Sequence, residues 1–398
     1  MNDTRAVPHR VGLFVATVQF FLALTWVVYV IYLPPLAEQV GIPRRAVIWL
    51  LMVDQLLFLA ADYACGVMAD RMARLNGRFG PAVLAATVLS ATAFLMLPWV
   101  APTGSAALFL VLMVLWSLSS SALRAPPLNL IGRYVPRPAQ PGLVALSMLG
   151  LGLASALAPY LGLALKGVDP RLPFLLSSVA LAASTLGLVA AERALQRLPN
   201  GTPPVADPGP AVSALPALAV AVAVTLAFQL HVFLNSTPLY LRLAGAADLP
   251  WLLPAFWVGF NLGLWPASWA AQRHGAPMVL AGAALVAGLG AGAAQAAGSL
   301  GLLLAAQAIT GLAWAAVLTA AFATALWLGR GGREGRFAGA LSSVLALAAL
   351  LRMGVVAGGA APAAPGSAWA VTLPLSPVLL WALAAAVALL LLLRRRAR

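Results

Sequence analysis

Stretches of twenty or more residues almost free of charge follow one another along this chain, and they limit its fold more than any other feature. A helix needs roughly 20 apolar residues to cross the hydrocarbon core of a bilayer. Inside that core every backbone N–H and C=O must be satisfied by the protein itself, so continuous apolar runs of this length are read as helices. The runs fall at 11–33, 46–69, 79–101, 105–130, 140–165 and 172–191, then at 213–241, 250–271, 276–297, 299–328, 337–359 and 370–393. The expected fold is an all-α membrane protein with twelve transmembrane helices in two six-helix bundles. Composition agrees: 9% of residues are charged, against about 25% in soluble domains. The first run is too long, and lacks the small-residue cleavage site, to be a removed signal peptide, so it is read as the first helix.

Between the two sets of six lies Glu192 to Val212, with Pro199, Pro203, Pro204, Pro208 and Pro210 among its residues. Proline removes the N–H that a helix needs and clashes with the preceding turn. Residues 1–191 are therefore expected to be one bundle, 192–212 a cytoplasmic linker, and 213–398 the second bundle. A net charge of +14 would suggest nucleic acid for a soluble protein. Here the basic residues sit between apolar runs instead of in one patch, and nucleic acid is not expected as a partner.

Those basic residues report orientation. With the N-terminus inside, cytoplasmic segments hold 17 of the 24 Lys and Arg residues, and the opposite side holds five, Arg44, Arg45, Lys166, Arg171 and Arg242. Positive charge accumulates in cytoplasmic loops, so both termini are expected to be cytoplasmic. Lys166 is the lone lysine, a bias that suits a GC-rich bacterial genome, and the expected location is a bacterial inner membrane. The partners expected are the lipid bilayer and a small-molecule substrate, with the chain itself a monomer. A single cysteine, Cys65, excludes an internal disulfide.

An offset of 198 residues lays the Asn76-Gly77 turn after span two on the His274-Gly275 turn after span eight. Two similar halves joined by a linker form the parallel repeat of a rocking transporter, with the substrate cavity at their interface. A fused channel would share that pattern.

Charges within membrane spans are costly and by default mark function. There are four, Asp54 and Asp62 in span two, Arg124 in span four and Arg352 in span eleven. At 1.5 Å per residue, Asp62 and Arg124 lie at similar depth, roughly 12 and 10 Å from the cytoplasmic end. Asp54 and Arg352 lie deeper, roughly 24 and 22 Å. We expect an Asp62/Arg124 pair within the first half and an Asp54/Arg352 contact across the halves. Asp54, Asp62 and Arg124 are the candidates for cation coupling, because a buried carboxylate holds a proton more or less tightly as a nearby arginine moves. Permanently paired structural ions are the competing reading.

The segment Gly66-Val67-Met68-Ala69-Asp70-Arg71-Met72-Ala73-Arg74-Leu75-Asn76-Gly77-Arg78 resembles the signature loop of the major facilitator superfamily. Glycine lets helices approach, and a carboxylate at a helix end can accept hydrogen bonds from a neighbouring helix N-terminus. The resemblance implies that this neighbour is span eleven, and that Gly66, Asp70, Arg71, Arg74 and Arg78 form a cytoplasmic gate. Asp62 to Arg71, ending in Gly77-Arg78-Phe79-Gly80-Pro81, together with Arg124-Ala125-Pro126, is similar to the glycoside, pentoside and hexuronide cation symporters and the sucrose carriers. That similarity implies proton- or Na⁺-coupled import of a sugar-like solute. Ala158-Pro159-Tyr160-Leu161-Gly162 partly resembles the glycine-proline motif of proton-antiport drug exporters and keeps efflux open as an alternative.

In the superfamily, spans one, four, seven and ten line the cavity. Trp26, Arg124, Gln229, His231, Gln307 and Trp314 of those spans, and Asn261 of span eight, are expected to face substrate. His231 could titrate near neutral pH. Nothing resembles an enzyme: no phosphate-binding glycine loop, metal-ligand spacing or nucleophile with an adjacent base is present. No cofactor is expected beyond a coupling ion. A non-transporting receptor on the same scaffold is a third class, separable by testing for saturable transport.

Overall fold

The computed structural model describes residues 9–76, 80–135, 137–196, 215–359 and 369–396, and these contain helices and turns with no strand. The first half holds α1 (His9–Gln39), α2 (Val47–Asn76), α3 (Gly80–Val100), α4 (Ala106–Ser120), α5 (Ala125–Tyr134), α6 (Gln140–Ala164) and α7 (Arg171–Gln196). The second holds α8 (Leu215–Leu230), α9 (Ser236–Leu241), α10 (Leu249–Leu252), α11 (Pro254–His274), α12 (Ala276–Ala296), α13 (Leu300–Gly329), α14 (Glu334–Ala357) and α15 (Trp369–Arg396). Among the described residues, ten stretches are long and apolar enough to cross a membrane. They do not include α11, and α7 offers only the shorter apolar run Arg171–Gly187.

Two expected spans are interrupted, each beside proline. Span four breaks into α4, a 3₁₀ turn at Ser121–Leu123, and α5, with Pro126 and Pro127 just past the break. Pro127 has no N–H to give the carbonyl four residues back, that of Leu123. The Gln19 side chain of α1 donates to that carbonyl instead, at 3.2 Å. Span seven contains a π turn, His231–Asn235, between α8 and α9, followed closely by Pro238. Pro377 in α15 likewise frees the carbonyl of Leu373, which accepts from Asn235 Nδ2 at 3.0 Å and from Ser376 Oγ at 2.8 Å. Side chains from neighbouring helices thus satisfy backbone groups that no water reaches.

The helix α7 runs to Gln196, five residues into the segment expected to be linker from residue 192. Glu192-Arg193-Ala194-Leu195-Gln196 are all good helix formers, and the first proline comes only at 199. The rest of the expected linker, 197–212, lies outside the described residues.

The halves meet along two seams, α2 against α14 and α6 against α11. With α4/α5 and α8/α9 counted as single interrupted rods and the one-turn α10 left out, each seam joins the second rod of one half to the fifth of the other, the symmetry a repeat produces. Small residues line both seams, where packing in place of a hydrophobic drive holds membrane helices together. A Cβ on Gly66 would strike the Gly335 carbonyl, and one on Gly339 would lie 2.5 Å from the Asp62 carbonyl.

Candidate functional site

At one end of the α2/α14 seam, Asp70 caps α14. Its Oδ1 accepts the Gly335 N–H and its Oδ2 the Arg336 N–H, both at 2.8 Å. The first turn of a helix has N–H groups without intrahelical partners and carries partial positive charge, so a buried carboxylate there satisfies both needs. Further along the seam, Ser343 Oγ donates to the Leu59 carbonyl at 2.7 Å. Of the other expected gate residues, Gly66 makes the close approach and Arg71 is exposed. The side chain of Arg74, and Arg78, lie outside the described residues.

Within the first half, Arg124 and Asp62 form an ion pair, Nη1 to Oδ2 at 3.2 Å. Arg124 sits at the α4/α5 break, where the helix is discontinuous, and its guanidinium lies 3.7 Å from the centre of the Phe58 ring. Trp26 contacts Phe58 and stacks on Trp116, their centroids 5.6 and 6.1 Å away. Asp54 lies at the far side of this aromatic group, fully buried. It accepts from Tyr29 Oη at 2.7 Å and from Ser117 Oγ. An aromatic wall therefore connects two buried carboxylates, one neutralised by arginine and one held by hydroxyls.

The expected Asp54/Arg352 contact is absent. Asp54 takes both its partners from its own half, while Arg352 Nε donates to Gln229 Oε1 at 3.1 Å and stands 5.2 Å from the Phe233 ring. The reason is helical phase. Ser343 marks the face of α14 that meets α2, and Arg352, nine residues on, is about two and a half turns away and points to the other side. Equal depth said nothing about azimuth.

The expected cavity residues separate into two groups. Trp26 and Arg124 belong to the aromatic wall, Gln229 holds Arg352, and Asn261 packs on Gly152 across the α6/α11 seam while donating to the Trp257 carbonyl at 2.8 Å. His231, Gln307 and Trp314 instead lie inside the packing of the second half. His231 Nε2 donates to Gln307 Oε1 at 2.9 Å, because that oxygen can only accept, and Gln307 Nε2 donates to Ser236 Oγ at 3.1 Å. Trp314 stacks on Phe228 with ring centroids 4.3 Å apart. His231, Gln307 and Ser236 bond to one another in this interior, so a polar residue in a lining span need not face the cavity. A separate cavity of about 690 Å³ lies at the Asp70 end of the second half, between Pro216, Leu280, Ala325, Phe337 and Leu392. Tyr29, Ser117, Phe58 and Gln19 were not foreseen. Hydroxyl or amide groups facing Asp54 or a proline-freed carbonyl are the signal that marks three of them.

No curated protein matches this sequence closely. The family described as Major Facilitator Superfamily matches residues 15–247, more than half of the chain. The chain belongs to the Major Facilitator Superfamily. Solved structures agree on the fold. The human organic anion transporter MFSD10 superposes with a TM-score of 0.70 at 15% identity, over 96% of this chain and 98% of that one. The E. coli fucose:proton symporter FucP gives 0.68 at 15% identity over 96% and 98%. A bacterial homologue of the iron transporter ferroportin, in an outward-facing state, gives 0.71 at 13% identity over 95% and 98%.

Superfamily members are transporters rather than enzymes, and the Asp70 contact joins the two halves. Removing it should loosen that end. Hydrogen bonds to a charged group contribute about 1.5–3 kcal/mol each. In a protein with Cys65→Ala and a reporter Ser343→Cys, Asp70→Ala is expected to raise the rate of maleimide labelling at least tenfold. An unchanged labelling rate would show that Asp70 does not hold the seam shut.

Proposed function

We propose that this protein is a secondary active transporter with twelve spans, α7 and α11 supplying the two beyond the ten apolar stretches. Both termini face the cytoplasm of a bacterial inner membrane, which places the Asp70 latch on the inner side. The solute is small and polar, and its movement is coupled to a cation, H⁺ or Na⁺, as symport. The observation that carries this reading is the Asp62–Arg124 pair beside a break in its helix. A membrane-depth charge pair is costly to maintain, and a helix break lets one partner move without unwinding the rest of the span.

In the mechanism we infer, Asp62 exchanges Arg124 for a proton as the halves rock. With Arg124 close, the carboxylate is charged and the proton leaves. With Arg124 withdrawn, burial favours the protonated acid. The Trp26 ring, half-buried and backed by Phe58 and Trp116, suits the apolar face of a ring-shaped solute. The solved proton-coupled sugar symporters on this fold, FucP and the proton:xylose symporter XylE, support the symport direction.

Purified protein in liposomes with an internal pH dye and a panel of small polar solutes, sugars and organic acids among them, tests the reading. Solute-evoked proton entry is expected, and Asp62→Asn should abolish proton movement while leaving downhill solute flow. Proton exit evoked by amphipathic cations would instead make the protein an exporter. Solute uptake with no proton or Na⁺ movement in the wild type would sink coupling.

A further inference from the structure

Among the described residues, no carboxylate pairs with Arg352. From residue 213 to the C-terminus the sequence contains two acidic residues, Asp248 and Glu334. Glu334 begins α14, eighteen residues and roughly 27 Å from Arg352 along the same helix. Asp248 sits in a short turn between α9 and α10 and spends its carboxylate on the Gly245 N–H, at 3.1 Å. The two membrane-depth carboxylates of the other half are engaged, Asp62 by Arg124 and Asp54 by Tyr29 and Ser117. A half-buried guanidinium in the outer part of a membrane span, held by a neutral amide, leaves its charge uncompensated.

The chemistry around that charge is one-sided. Gln229 turns its oxygen to Arg352 Nε, so its own amide N–H₂ remains a donor next to the guanidinium's other N–H groups. A cluster made only of donors, planar on the arginine side, complements the oxygens of a carboxylate or phosphate. The Phe233 ring, 5.2 Å from the guanidinium carbon and largely exposed, supplies a flat apolar wall beside it. We infer that Arg352 and Gln229 bind the anionic group of the transported solute, which makes that solute a small organic anion rather than a neutral sugar. This inference rests on the transport reading above, and adds to it the charge of the cargo.

The alternative source of the same chemistry is an anionic lipid headgroup, and the test separates them. Protein in phosphatidylcholine vesicles, with or without phosphatidylglycerol, is given radiolabelled benzoate, lactate and gluconate beside their neutral partners benzamide, lactamide and glucose. Acid uptake is expected to exceed that of the neutral partners in both membranes. Arg352→Gln should lower acid uptake at least tenfold, and Arg352→Lys should retain part of it. Gln229→Glu supplies an internal carboxylate and should also block acid uptake while keeping Arg352 paired and the protein folded. The inference is overturned if the neutral partners move as well as the acids, or if both Arg352→Gln and Gln229→Glu leave acid uptake within twofold of wild type. It is equally overturned if Arg352→Gln alters only melting temperature, and only in phosphatidylglycerol. If no compound moves, benzoate binding to detergent-solubilised protein decides: binding lost in Arg352→Gln keeps the anion site and removes the transport reading, and no binding removes both.

Discussion

Gly66→Leu will reduce transport at least 100-fold while the protein still inserts and folds. Gly66 lies where α2 crosses α14, and even a Cβ there would strike the backbone carbonyl of Gly335. Backbone cannot rotate aside as a side chain does, so the two helices must separate. That separation pulls Asp70 from the Gly335 and Arg336 N–H groups, which need 2.8 Å contacts. Overpacking costs typically 1–3 kcal/mol, and loss of the charged cap adds to it. Together they favour the state open at the Asp70 end, and a transporter held in one state does not cycle. Solute uptake into vesicles measures the loss, with Gly162→Leu as control, since nothing lies within 4 Å of a Cβ at Gly162. Uptake above half of wild type in Gly66→Leu would show that the seam does not close during transport.

A second large effect is expected at a residue outside the Asp62–Arg124 pair. Gln19 Nε2 donates to the Leu123 carbonyl, which Pro127 leaves without its helical partner, one residue before Arg124. Gln19→Leu strands that carbonyl where no water reaches it, at a cost of about 1–3 kcal/mol. The α4/α5 break should shift and carry Arg124 away from Asp62, a contact of 3.2 Å. Both a lower melting temperature and at least a tenfold loss of coupled uptake are expected. Pro127→Ala restores a backbone N–H four residues after Leu123, so Gln19→Leu with Pro127→Ala should recover the melting temperature. Failure of that rescue would mean that Gln19 acts through something other than the freed carbonyl.

Depth along the membrane normal was readable because apolar runs have ends and helices rise uniformly. Asp62 and Arg124, matched in depth, do pair. Asp70, matched to a superfamily signature loop, does cap α14. The same depth argument misplaced Asp54 and Arg352, since two residues at equal height on neighbouring helices meet only if both face the seam. His231 and Gln307 show a related limit. Their type and span suggested a lining role, yet their side chains turn inward to each other at 2.9 Å. The interrupted helices were half visible: Pro127 and Pro377 predict freed carbonyls at Leu123 and Leu373, but only the packing shows that Gln19 and Asn235 answer them.

What this sequence determined by itself is everything that depends on one axis. Runs of apolar residues too long for anything but membrane helices, and the height of each charge along its helix, follow from counting along the chain. The tertiary structure decided rotation and partnership: which face of α14 meets α2, that Tyr29 and Ser117 hold Asp54, and that Arg352 is left with an amide. The physical reason is that apolar burial in a bilayer is nearly indifferent to rotation about a helix axis. The phase of each helix is set instead by a few close glycine contacts and hydrogen bonds, formed between residues far apart in the chain.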